Sequence, residues 1–71
     1  MALTQRQREE LSRYTSELYA EFGRMTVKQL RTYANQNRVP LGGESTKAAI
    51  ISEMVGQLRN RRLVRMEEGV A

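Results

Sequence analysis

Apolar residues recur along this chain at helical rather than strand spacing. Leu11, Tyr14, Leu18 and Phe22 stand at i, i+3, i+7 and i+11, which puts them on one face of a helix running from about Thr4 to Phe22. Thr4 followed three residues later by Gln7 is the pattern of a capping box, and Gly23 offers a glycine stop. Glu9, Glu10, Glu17 and Glu21 fall off the stripe and read as a solvated face. In so short a chain the stripe is expected to complete a core. A dimerising coil is the alternative, although the stripe spans fewer than three heptads.

The next segment opens with a denser start signal. Thr26 and Gln29 form a second capping box, and Met25 and Leu30 stand at the positions of a hydrophobic staple. Val27, Leu30 and Ala34 mark the inward face of a helix over about Val27–Asn37, with Tyr33 alongside. Asn35, Gln36 and Asn37 weaken it, and Pro40 closes it off by disfavouring helix in the residue before. Val39-Pro40-Leu41 then reads as an extended strut with two apolar side chains to plug the core, and Gly42-Gly43 as a turn.

A third helix is predicted to start after Ser45 or Thr46, either of which can cap it. Ile50, Ile51, Met54, Val55 and Leu58 form its stripe. Gly56 interrupts it at a cost of about 1 kcal/mol relative to Ala, and a close helix contact is one reason for a glycine there. Beyond Leu58 the stripe positions fall on Arg61, Arg62 and Arg65, so apolar packing is predicted to stop. The pattern as a whole predicts an all-α, three-helix domain over residues 1–59. Residues 60–71 are expected to form a basic, disordered tail.

Length and composition narrow what such a domain can do. The chain has 71 residues and no Cys. A domain of this size buries only about 60% of its unfolded surface, with no disulfide or thiolate metal site to brace it. His, Trp and Asp are also absent, which removes the commonest general base, most metal ligands and one of the two acidic catalysts. A non-enzymatic protein without cofactor is the expectation. No apolar run approaches the ~18 residues of a membrane span, and the N-terminus lacks the apolar stretch of a signal peptide. A soluble cytoplasmic protein, or a nucleoid or nuclear one if bound to DNA, is expected, and a monomer.

Formal net charge is +4, and ten of the twelve basic residues are Arg. The arginine fork suits phosphate and carboxylate. The charge is uneven. Residues 24–43 carry Arg24, Lys28, Arg31 and Arg38 with no acid, whereas residues 1–23 carry three Arg against four Glu. Lys28, Arg31 and Asn35 fall along one strip of the second helix, and Arg24 precedes its cap. The start of the third helix, with Ser45, Thr46 and Lys47, adds free backbone N–H groups at a positive dipole end. Basic strip and helix start together suit a two-point grip on a nucleic-acid backbone. Ordinary solvated helix faces are the plain alternative.

These residues also carry a family resemblance. Val27-x-x-Leu30, Ala34, Val39-Pro40, Gly43, Lys47, Ile50-Ile51 and Met54 make residues 25–58 resemble the SAP domain and its HeH and LEM relatives. Those modules share a helix–extended loop–helix fold. The resemblance implies DNA binding through minor-groove and backbone contacts for a SAP-like module, or a DNA-associated protein partner for a LEM-like one. Carried over, the contacts would be Lys28 and Arg31 on the first module helix, Gly43 in the loop and Lys47 at the next helix start. The leading expectation is therefore a DNA-binding module of transcription or genome regulation, using Arg24, Lys28, Arg31, Gly43 and Lys47.

The other expectation is a small stand-alone regulator of the phage type that docks on a host protein machine, such as RNA polymerase or a nuclease. An initiator Met and a short acidic-ended tail suit a complete tiny protein. Its interface would use Tyr19, the exposed aromatic of the first helix, and Arg59, Arg61, Arg62 and Arg65 of the tail.

Overall fold

The computed structural model describes residues 3–43 and 46–70, the last two as backbone only. Three helices form in order: α1 (Gln5–Gly23), α2 (Val27–Gln36) and α3 (Lys47–Val70). No strand forms among the described residues, so the domain is all-α.

Both predicted capping boxes are made. Thr4 Oγ1 accepts from the Gln7 N–H at 3.1 Å while Gln7 Oε1 accepts from the Thr4 N–H at 3.0 Å. Thr26 and Gln29 repeat the exchange at 3.1 and 2.9 Å. Each pair satisfies two N–H groups that a helix start would otherwise leave open. Thr46 caps α3, its hydroxyl oxygen accepting from the Ala49 N–H at 3.1 Å. Ser45, the other candidate cap, lies outside the described residues.

Helix ends are made differently from expectation. Gly23 does not leave the right-handed region, because α1 runs through it and the cap is Arg24 at φ −88°. Its last carbonyls are met by two tightened bonds, Arg24 N–H to Glu21 O and Met25 N–H to Phe22 O, both 3.1 Å. Lys47 Nζ adds a third, donating to Gly23 O at 2.9 Å. At the end of α2 the left-handed residue is Arg38, at φ 55°, and no described glycine has positive φ. The Arg38 N–H donates to Asn35 O at 3.3 Å and the Val39 N–H to Ala34 O at 2.8 Å. This is a Schellman ending, with its usual apolar contact supplied by Val39 and Ala34, both in the core.

The core lies where the stripes predict. Leu18, Phe22, Leu30, Ala34, Val39, Ile50, Ile51, Met54, Val55 and Leu58 form one cluster, with Tyr14, Met25, Val27, Tyr33 and Leu41 packed against it. Phe22 and Tyr33 meet edge to face at 5.2 Å between centroids, joining α1 to α2. Val39 is the buried plug of the extended segment and Leu41 a half-buried one.

The tail is a correction. Full burial ends at Leu58 as expected, yet α3 continues as helix to Val70 in place of the disordered tail expected over 60–71, with Ala71 outside the described residues. The arginines that interrupt the apolar stripe hold the helix to the rest of the domain. Arg61 Nη1 donates to Asn37 O at 2.7 Å, and its Nη2 donates to Arg38 O. Arg62 stacks its guanidinium 4.7 Å from the Tyr14 ring centroid. Leu63 and Met66 remain half-buried. α3 therefore runs back along α1, with Lys47 beside Gly23 at one end and Arg62 over Tyr14 farther along. No helix of the described residues is long and apolar enough to cross a membrane.

Candidate functional site

The end of the molecule where α1 stops and α2 and α3 begin gathers positive charge. Lys47, the first residue of α3, is tied to Gly23 O, which sets it beside Arg24, the next residue in the chain. Thr26 then caps α2, and Lys28 stands in that helix's first turn. The start of α3 is thus held at the α1–α2 junction, beside Arg24 and within a few residues of the α2 start that carries Lys28. Arg24, Lys28 and Lys47 are all exposed there.

This placement runs against helix stability. A helix N-terminus carries roughly half a positive charge and favours acids. None of the three helices has an acid in its first turn, although the chain holds eight Glu. Lys28 instead adds positive charge to the start of α2, while the Lys47 ammonium reaches across to the C-terminal carbonyl of α1. The α1 C-terminal carbonyl that accepts from Lys47 offsets this positive charge only in part.

Arg31 and Asn35 extend the exposed strip up α2 from Lys28. Lys28 borders a shallow hollow with Thr32 and Tyr33, and Arg31 borders another with Pro40 and Leu41. Gly43 is exposed in the segment before α3, and a Cβ added there would meet nothing within 4 Å. Of the predicted nucleic-acid set, then, Lys47 is brought to the α1–α2 junction, where Arg24 and Lys28 flank the α2 cap in sequence. Arg31 continues the line, and Gly43 shows no close approach that would demand glycine.

The predicted protein-contact set divides. Tyr19 is 48% exposed, an accessible ring on α1. Arg59 and Arg65 are exposed on α3. Arg61 and Arg62 are spent within the domain, on the α2 terminus and on Tyr14. Their positions one turn beyond Leu58 were the available signal. A long basic side chain on an apolar stripe can lay its stem along the stripe and reach a carbonyl or ring with its head.

The sequence pattern did not disclose a groove of about 600 Å³ between α1 and α3, lined by Leu3, Arg8, Leu11, Tyr19, Arg59 and Leu63 among others. No α2 residue contributes to it. Among the described residues no group of three potential metal ligands converges.

The chain matches no protein-family model, and no curated protein and no solved structure matches it.

Proposed function

We propose that this domain is a non-catalytic binder of nucleic acid, gripping the phosphate backbone of duplex DNA with the corner formed by Arg24, Lys28 and Lys47. Arg31 extends that contact along α2. The observation that carries the reading is the Lys47–Gly23 hydrogen bond at 2.9 Å. It holds the start of α3 at the α1–α2 junction, which supports Lys47 acting together with the exposed Arg24 and Lys28. Phosphate is the anion that such a surface meets in repeated array. The order of α2, extended segment and α3 is compatible with a SAP-like module, in which the Lys28–Arg31 strip would face DNA. Regulation of transcription or of genome organisation is the role in which such a grip serves.

Counterion release supplies the test. Each neutralised phosphate contributes a slope of about −0.9 to the dependence of log affinity on log salt, so three to four contacts predict a slope near −3. Arg24→Ala combined with Lys28→Ala is expected to flatten that slope by about 2 and leave the melting temperature nearly unchanged, since losing Lys28 from the α2 N-terminus and Arg24 from the α1 C-terminus act in opposite directions. No binding of a duplex at low salt, or a slope indifferent to the double substitution, overturns the proposal.

A further inference from the structure

The groove between α1 and α3 lies outside both the core and the cationic corner. Leu11 is only 4% exposed, yet it stands apart from the contiguous core cluster. Half-buried Leu3 and Leu63 flank it, and the exposed Tyr19 ring stands at one end of the groove. Leu3, Leu63 and Tyr19 thus leave apolar surface in the groove that no other described residue fully covers, over a buried Leu11. Arg8 and Arg59 line the same groove, one from each helix, and among the described residues no carboxylate lines it. Unlike Arg61 and Arg62, these two arginines make no side-chain hydrogen bond or ion pair with another described residue.

We propose that this groove receives an acidic, amphipathic segment of a partner protein, with apolar side chains seated on Leu3, Tyr19 and Leu63 and carboxylates on Arg8 and Arg59. Charge selects the occupant. A second copy docked groove to groove about a two-fold axis would set Arg8 and Arg59 against themselves. A nucleic-acid backbone would satisfy the arginines and leave the apolar surface in contact with phosphate and water. An acidic segment with bulky apolar residues satisfies both. Tyr19 suits the anchor role, because an exposed Tyr offers apolar area with little rotamer entropy to lose. The Thr15 hydroxyl is already given to Leu11 O at 2.9 Å, so Ser12 and Ser16 remain as the hydroxyls of the groove wall.

The inference is independent of DNA binding at the cationic corner, and its test is separate. A random library of displayed peptides of about 12 residues, long enough for one amphipathic helix or strand, is selected on the intact protein. The Arg8→Glu, Arg59→Glu double variant serves as counter-selection. Both sites are exposed, and an unchanged melting temperature certifies the variant's fold. The expected result is enrichment of sequences pairing Asp or Glu with Leu, Phe or Trp. A synthetic copy of one such peptide is expected to shift the amide resonances of Ser12, Ser16, Tyr19 and Leu63. It should lose affinity by about tenfold or more in the double variant, and comparably in Tyr19→Ala. Enrichment of basic sequences, no enrichment, shifts confined to α2, or peptide binding indifferent to both variants overturns the proposal. So does a DNA duplex that shifts the groove resonances rather than those of Arg24 and Lys28.

Discussion

Arg61 and Asn37 stand 24 residues apart in the chain, and Arg61 Nη1 donates to the Asn37 carbonyl at 2.7 Å. The same guanidinium reaches the next carbonyl, that of Arg38. These are the open carbonyls at the end of α2, where a cation also opposes the negative end of the dipole. One side chain thus ends one helix and extends another. Because Arg61 is exposed, solvent discounts the interaction, and Arg61→Ala is expected to cost about 1 kcal/mol. Arg61→Lys should recover less than half, since an ammonium cannot present the planar fork. Urea unfolding of the three proteins checks the order. Equal midpoints would mean that the fork contributes nothing.

What the residues disclosed in advance was local. Thr4–Gln7 and Thr26–Gln29 needed only a three-residue spacing to be read as capping boxes. The stripes on Leu18–Phe22, Leu30–Ala34 and Ile50–Leu58 needed only the helical period. The exposure of Arg24, Lys28 and Tyr19 follows from the same periodicity. The contacts left unread are tertiary ones: Lys47 on Gly23, Arg61 on Asn37 and Arg62 over Tyr14. Each joins residues far apart in sequence through a long flexible side chain that has no periodic signature. The tail was misread for this reason. Arginines on a stripe end apolar burial without ending the helix when carbonyls and a ring wait opposite them. Gly23 was misread because α1 found its C-terminal partners in Lys47 and in tightened bonds, and so had no use for a left-handed glycine.

The one described non-glycine residue with positive φ is Arg38, at 55°. A side chain with Cβ pays about 1–2 kcal/mol to stay there, and glycine does not. Glycine loses part of that advantage through the greater freedom of the unfolded chain. Arg38→Gly is therefore expected to stabilise the domain by about 0.5–1 kcal/mol. The bond from Arg61 survives, because it ends on the Arg38 backbone carbonyl. A lowered urea midpoint in Arg38→Gly would show that the Arg38 side chain contributes more than its backbone costs.

Gly56 presents the opposite case. It lies inside α3 with ordinary right-handed backbone, and a Cβ built on it would meet nothing within 4 Å. The close helix contact that would explain a glycine is absent among the described residues. Gly56→Ala is expected to stabilise by about 0.8–1 kcal/mol through helix propensity alone. That corresponds to a rise in melting temperature of about 4–8 °C for a domain of this size. A calorimetric scan of the two proteins decides it. A fall in melting temperature would place a neighbour against Gly56.

Tyr33 makes the stability of the fold depend on alkaline pH. Burial beside Phe22 raises its phenol above the ordinary value, first by removing water and then through the negative charge of Glu21 and the proximity of Tyr14. A raised value means that the folded chain holds the proton more tightly than the unfolded chain. The contribution is fully present below the ordinary phenol pKa of about 10 and is lost as pH rises through the folded value. Melting temperature should therefore fall with alkaline pH more steeply in the native protein than in Tyr33→Phe, which has no proton to lose. Both proteins share every other tyrosine and lysine, so the difference between the two curves isolates Tyr33. Glu21→Gln should bring the native curve partway towards that of Tyr33→Phe, because burial, the larger cause, remains. Parallel curves for native protein and Tyr33→Phe above about pH 10 would mean that the phenol ionises as readily in the fold as in the open chain.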